Sequence, residues 1–248
     1  MFEAIISDVK MLRDSIDTIS QIIDEAVLKV KADGLELLAA DRAMVSVVEF
    51  KLSSKAFDSY NYTEDANIGL NLLNFLSVLK RAGNNDKVTL KLDENKLGLV
   101  FKGESRRAFK IPLIDIKREE IPAIGQFDFP AKVEVNAGIL ISGIDDANIF
   151  ADSVIIEVSP ESFIMSAEAD NNRSELKLEK GNVGLLNLSA MSHVKSRYPL
   201  DYMKKMIKAS KLVNIARIQM GNDYPMKMDF IGDNVQMGFV LAPRVQED

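Results

Sequence analysis

The second half of this chain repeats the plan of its first. The run Ile22-Ile23-Asp24-Glu25-Ala26-Val27-Leu28-Lys29-Val30 has its counterpart in Phe150-Ala151-Asp152-Ser153-Val154-Ile155-Ile156-Glu157-Val158, an offset of 128 (150 − 22). Leu37-Leu38-Ala39-Ala40-Asp41 is answered by Ser166-Ala167-Glu168-Ala169-Asp170 at 129 (166 − 37), which reads as one extra loop residue. Leu79-Lys80 and Ile207-Lys208 restore 128 (207 − 79). A repeat that keeps its spacing over such a distance restricts the chain to two like units. Pseudo-symmetric molecules of this kind build surfaces more readily than single catalytic clefts.

The 248 residues suffice for two domains of ordinary size. Hydrophobic residues make up 47%, enough to fill a core in each. No run approaches the ~18 apolar residues of a membrane span, and Met1-Phe2-Glu3-Ala4 is not the basic start of a signal peptide. The absence of cysteine excludes disulfides and thiolate metal sites and points to a reducing, cytoplasmic setting. Net charge is −6, which by itself argues against a nucleic-acid partner. The charge is segregated, however. Lys195, Arg197, Lys204, Lys205, Lys208 and Lys211 face a single acid, Asp201, while acids gather at Glu119-Glu120 and Glu247-Asp248.

Periodicity predicts a strand over 1–6 and then a helix capped by Ser7 or Asp8. Val9, Leu12, Ile16, Ile19 and Ile23 form its buried stripe. Strands are expected over 26–31, 35–40 and 45–52, with a turn at Asp33-Gly34. Ile68–Leu70 leads into a helix over 72–81 with Gly83 as its C′ stop, and strands over 88–92, 97–102 and 107–112 follow. The second copy predicts strands over 133–135, 153–158, 163–168, 174–179, 215–220, 226–230 and 235–241. Its helices fall over 137–150 and 199–211, with Pro199 in a first turn. The fold class is α+β, two similar domains each with two helices packed on mostly antiparallel sheet. The domains are 1–116 and 133–248, joined by a connector over 117–132 that holds Pro122, Gly125 and Pro130 without sustained period.

Reactive constellations are scarce. His193 is the only histidine and reads as an ordinary loop residue. Gly83–Thr89 lacks phosphate-loop spacing, and Asp170-Asn171-Asn172 lacks the glycine and glutamate of a calcium loop. Asp145 and Asp146, adjacent on a helix, do not share a face. No catalytic residue, metal site or cofactor is expected. What remains is basic helix surface. Lys204, Lys208 and Lys211 fall at i, i+4 and i+7 with Lys205 beside them, Lys10 and Arg13 lie on the first helix, and Lys80 and Arg81 close the second. Each face alone reads as a solvated surface suited to the helix dipole. Three in one repeat favour a surface that tracks phosphates without reading bases.

These residues resemble a known family. Met1-Phe2-Glu3-Ala4, Ile23-Asp24-Glu25-Ala26, Asp41-Arg42-Ala43-Met44-Val45, Leu79-Lys80-Arg81-Ala82-Gly83, Pro112-Leu113-Ile114-Asp115 and Leu241-Ala242-Pro243-Arg244-Val245 follow in the order and spacing of the DNA sliding clamps of the proliferating cell nuclear antigen (PCNA) family. Length and lack of cysteine are similar to archaeal members. The resemblance implies a homotrimeric, pseudo-sixfold ring around double-stranded DNA, with helices lining the hole. It implies no enzymatic activity, and placement at an archaeal nucleoid, or in the nucleus of a eukaryote. DNA contact falls to Lys10, Arg13, Lys80, Arg81, Lys204, Lys205, Lys208 and Lys211. The helix over 137–150 departs from the pattern, with two acids and no base.

The resemblance also implies a groove for DNA polymerase, clamp loader, flap endonuclease and DNA ligase, which insert a motif of one aliphatic and two aromatic anchors. Its residues here are Met44, Val45, Ile121, Pro122, Ile124, Pro225, Val240, Leu241, Ala242 and Pro243; many members place Tyr where this chain has Val240. Subunits join through edge strands, with Arg107, Ala108, Lys110 and Pro112 on one and Glu175 and Lys177 on the other. Contact between Arg107 or Lys110 and a glutamate of the neighbour is expected. Alternatives stay open at this point: a subunit of a heterotrimeric clamp, a minor clamp paralogue, a duplicated enzyme, or a scaffold unrelated to DNA.

Overall fold

The computed structural model describes residues 2–83, 85–117 and 128–244. The chain divides into one unit of Met1–Arg42, Val48–Ile121 and Gly232–Met237, and another of Ala43–Val47, Pro122–Ile231 and Gly238–Asp248. In chain order the first copy runs β1 (Phe2–Ile6), α1 (Val9–Ile19), β2 (Glu25–Lys31), β3 (Gly34–Ala40), β4 (Ser46–Ser53), β5 (Ser59–Tyr62), β6 (Ala66–Asn71), α2 (Leu72–Leu79), β7 (Lys87–Asp93), β8 (Lys96–Lys102) and β9 (Arg106–Pro112). The second copy runs β10 (Ala131–Asn136), α3 (Ala137–Ala147), β11 (Ser153–Val158), β12 (Ser162–Ala169), β13 (Asn172–Glu179), β14 (Leu185–Ala190), β15 (Val194–Pro199), α4 (Leu200–Met206), β16 (Ile215–Met220), β17 (Met226–Ile231) and β18 (Val235–Leu241).

The hydrogen-bonded order is β5-β1-β7-β8-β9 and β4-β3-β2-β6 in the first copy. In the second it is β14-β10-β16-β17-β18 and β13-β12-β11-β15. One order becomes the other when nine is added to every strand number, so the duplication read from sequence is a duplication of topology. Helices α1 and α3 obey the offset of 128 at both ends (9 to 137, 19 to 147), and β6 and β15 do the same (66 to 194, 71 to 199).

The extra residue assigned before Ser166 lies elsewhere. β3 and β12 also start 128 apart (34 to 162), and the buried Leu35 and Leu37 correspond to the buried Phe163 and Met165. A slip of one residue would turn each of these side chains to the wrong face. The insertion therefore comes at the end of the strand, since β3 closes at Ala40 and β12 at Ala169.

Helix α1 forms because Val9, Leu12, Ile16 and Ile19 make a continuous buried stripe and because Asp8 accepts the Lys10 N–H at 3.2 Å. Ser15 and Thr18 are also buried, their hydroxyls donating to the carbonyls of Met11 (2.8 Å) and Asp14 (2.9 Å). Ile23 is buried four residues past the helix end. Gly34 has φ +145°, and a Cβ there would meet the Leu52 carbonyl oxygen at 2.0 Å, so the β2–β3 turn requires glycine.

Several expectations need correction. Gly83 is not a left-handed C′ residue; α2 ends at Leu79 with Lys80 as its C-cap, and the Arg81 and Ala82 N–H groups close the last turn on the carbonyls of Val78 (2.9 Å) and Leu79 (3.1 Å). Helix α3 stops at Ala147, with Asn148 as C-cap. Pro199 is the extended N-cap of α4, one residue before the first turn. The helix there tightens into a 3-10 turn over Ile207–Lys211. Strands β5 and β14 escaped notice because each is the last strand of its run, with side chains too exposed to alternate. β10 begins at Ala131, inside the stretch assigned to the connector; the rest of that assignment falls largely on 118–127, outside the described residues.

Candidate nucleic-acid interface and docking surfaces

In the first unit α1 packs on α2 and brings the expected cations to their exposed sides. Lys10 is exposed in the first turn of α1. Arg13 is half-buried, its Nε 3.4 Å from Asp14 Oδ1. Lys80, at the end of α2, reaches Asp17 Oδ1 on α1 at 3.1 Å. Arg81 is exposed, and its carbonyl accepts a hydrogen bond from Arg107 Nη1 at 3.0 Å. The acids Asp14 and Asp17, which the basic-face expectation leaves out, sit on the same helix as Lys10 and Arg13. Lys80 keeps 56% side-chain exposure in its pair, so that contact is weak and screened by salt.

In the second unit Lys204 donates to Asn148 Oδ1, at the end of α3, at 3.2 Å. Lys205 lies over the Tyr202 ring, 5.0 Å from its centroid. Lys208 is half-buried and Lys211 exposed, both on the 3-10 turn. The expected single stripe through Lys204, Lys208 and Lys211 assumed an unbroken α-helix. Beyond Ile207 the 3-10 turn, at about three residues per turn, stacks Lys208 and Lys211 one above the other. Helix α3 offers Asp145 and Asp146 to solvent and buries Leu140 and Ile144.

The expected docking residues that are described all belong to the second unit. Met44 is half exposed and has φ +56°. The Val45 carbonyl accepts the Ala242 N–H at 2.9 Å, so the tail after β18 lies against the loop before β4. Pro225 is half-buried next to Tyr224, whose carbonyl accepts the Tyr198 hydroxyl at 2.8 Å. Ala242 and Pro243 are half-buried, and Val240 keeps 8% exposure. Leu241 must be corrected: at 0% exposure its side chain fills the core and none of it is left for a partner. Ile121, Pro122 and Ile124 lie outside the described residues.

One surface was missed. In the first unit a cavity of about 620 Å³ opens between β2, β3 and the segment after β9, with Ile22, Leu38, Ala40, Ile114 and Ile116 among its walls. Its signal was Leu38, an apolar residue on the outward face of β3 that stays 41% exposed.

Strands β9 and β13 each end a hydrogen-bonded run, as edge strands do. Ala108, Lys110 and Pro112 share the exposed face of β9, and Lys110 Nζ is 3.6 Å from Asp93. On β13 Glu175 pairs with Arg173 at 2.6 Å and Lys177 with Glu179 at 2.9 Å. Arg107 corrects expectation. It shares the inner face with Phe109 and Ile111, pairs with the buried Asp86, and lies over Phe101 at 5.5 Å. Its charge is engaged within its own chain.

His193 lies outside regular structure, just before β15, with Nε2 2.9 Å from Glu157 Oε2; Lys195 Nζ is 3.3 Å from the other oxygen. Among the described residues no three His, Asp or Glu side chains gather to hold a metal ion, and no helix is long and apolar enough to cross a membrane.

Residues 1–122 match the family model for the N-terminal domain of proliferating cell nuclear antigen, and residues 123–245 match that for its C-terminal domain. The chain belongs to the PCNA family. Among relatives, the DNA polymerase sliding clamp of Pyrococcus furiosus is 34% identical over 99% of each chain. That of Methanothermobacter thermautotrophicus is 35% identical over 100% of each. The crystal structure of PCNA from Thermococcus kodakaraensis superposes with a TM-score of 0.91 at 29% identity, covering 98% of this chain and 100% of that one. The two PCNA domains of the family coincide with the two copies that the strand order shows.

Proposed function

We propose that this PCNA-family chain is a DNA sliding clamp, a processivity factor that tethers replication and repair enzymes to duplex DNA and catalyses nothing itself. The observation that carries the reading is similarity along the whole chain to proteins named DNA polymerase sliding clamp, joined to a fold duplicated in every strand. Three copies pair edge to edge through β9 and β13, which removes two bare edges from each. Ala108, Lys110 and Pro112 meet Glu175 and Lys177 of the next copy. The pairs that Lys110, Glu175 and Lys177 make within their own chain are exposed, and exchanging them across a seam costs little.

The cations Lys10, Arg13, Lys80, Arg81, Lys204, Lys205, Lys208 and Lys211 contact phosphates. Flexible lysine stems on an acidic protein hold duplex DNA weakly and without regard to sequence, as sliding needs. Met44, Val45, Pro225, Ala242 and Pro243 form the docking surface for polymerase, clamp loader, flap endonuclease and ligase. Primer extension on singly primed circular DNA, with a loader and ATP supplied, tests the reading. Longer products per binding event are expected; unchanged product length contradicts it. Light scattering of the purified chain should give the mass of a trimer, and a stable monomer would favour a heterotrimeric clamp.

A further inference from the structure

The tail after β18 is clipped at two points, one on each side of a proline. The Ala242 N–H donates to the Val45 carbonyl at 2.9 Å, and the Arg244 N–H donates to the Arg197 carbonyl of β15 at 2.7 Å. Pro243, between them, has no N–H to give. Beyond these two bonds stands one ion pair, Arg244 Nη1 to Asp152 Oδ2 at 2.6 Å. Asp152 is a fixed post, because its own carbonyl accepts the Leu200 N–H that opens α4, at 2.9 Å. The strand that receives the tail is fixed beside it, with Arg197 Nη1 donating to Ser153 Oγ at 3.1 Å. Asp152 and Ser153 thus hold two arginines, one on the tail and one on its landing strand.

We propose that Arg244 and Asp152 are positioning residues for partner docking: their ion pair latches the tail Ala242–Arg244 in place as one wall of the surface that receives a partner's apolar and aromatic anchors. The inference rests on the docking surface proposed above. The two members of the latch remain 48% and 75% exposed, so it adds little to global stability. Its effect is local. Past Leu241 the β18 ladder no longer holds the chain, and a tail freed of its latch must be ordered again by each partner that binds, which weakens binding.

The test measures fluorescence anisotropy of a labelled synthetic peptide carrying one aliphatic and two aromatic anchors. The proteins are the full chain, Asp152→Asn, Arg244→Gln, and the swapped double variant Asp152→Arg with Arg244→Asp. Amide hydrogen exchange at Ala242 and Arg244 is followed in parallel. Each single variant should bind about two- to fivefold more weakly, the size expected for one exposed ion pair. Both amides should exchange faster, the swapped pair should recover both properties, and oligomeric mass should stay unchanged. Single variants that bind like the unsubstituted chain overturn the latch while leaving the docking surface standing. Weakened binding without faster exchange, or without recovery in the swapped pair, also overturns it. An unsubstituted chain that fails to bind the peptide removes the docking surface and the latch's role together.

Discussion

Tyr60 sits under the β2–β3 turn, and its hydroxyl donates to the carbonyls of Lys31 and Gly34, both at 2.8 Å. Burial pushes the phenol up to about 12, above the ordinary value of 10.0. The folded chain therefore keeps a proton that the unfolded chain gives up first. The sign follows from linkage: this stability is fully present below pH ~10 and is lost as pH rises through the folded value near 12. Urea midpoints measured at increasing pH should fall across that window, and Tyr60→Phe should make the fall shallower. An identical slope in the variant would remove Tyr60 from the account. Little of this was legible from residues alone, because a tyrosine in the run Ser59–Tyr62 gives no sign of the carbonyls it will meet from a turn some thirty positions away. The turn itself was legible, since Asp33-Gly34 names a position where only glycine fits.

Between elements the clearest constraint is Asp86. It accepts the Gly83 N–H at 2.8 Å and pairs with Arg107 of β9, whose other nitrogen holds the Arg81 carbonyl at 3.0 Å. One carboxylate thus ties the end of α2, with its exposed Lys80 and Arg81, to an edge strand. Asp86→Asn should cost about 1–3 kcal/mol in chemical denaturation, as for a charged group left with poorer partners; no loss would show the tie to be incidental. The two ends of this tie were visible in sequence as a turn and a strand, but their meeting was not. Where the apolar pattern was strong it placed elements well: α1 by its apolar stripe, and β2, β11 and β16 to within a residue of their ends. Where charge interrupted it, reading failed. Lys195 and Arg197 alternate with buried Val194, Ser196 and Tyr198, so they belong to β15, although in the chain they look like the start of a basic run leading into α4. The tightening after α4 was not legible for a related reason, since nothing in Ile207–Lys211 announces the change from α to 3-10 geometry.

For the whole molecule the decisive property is the duplication, which sequence showed by spacing and the strand order shows by topology. It makes two copies of one helix pair and leaves unlike edge strands, β9 and β13, which the proposed ring joins head to tail. Cation placement breaks the symmetry: α1 mixes Lys10 and Arg13 with Asp14 and Asp17, Lys80 and Arg81 follow directly on α2, α4 with its following turn carries four lysines, and α3 carries only acids. An outsize share of the proposed DNA contact in the second copy therefore falls to Lys204, Lys208 and Lys211. Changing all three to Glu should abolish stimulated DNA synthesis while the thermal midpoint and oligomeric mass remain as before; stimulation that survives would favour a scaffold indifferent to DNA. The most direct test of the central claim is retention on closed DNA. The protein is loaded onto nicked circular DNA with a loader and ATP, the unbound fraction is removed, and half the sample is linearised. Encirclement predicts that the protein stays on the circle and runs off the free ends of the linear molecules; equal retention on both forms would contradict it.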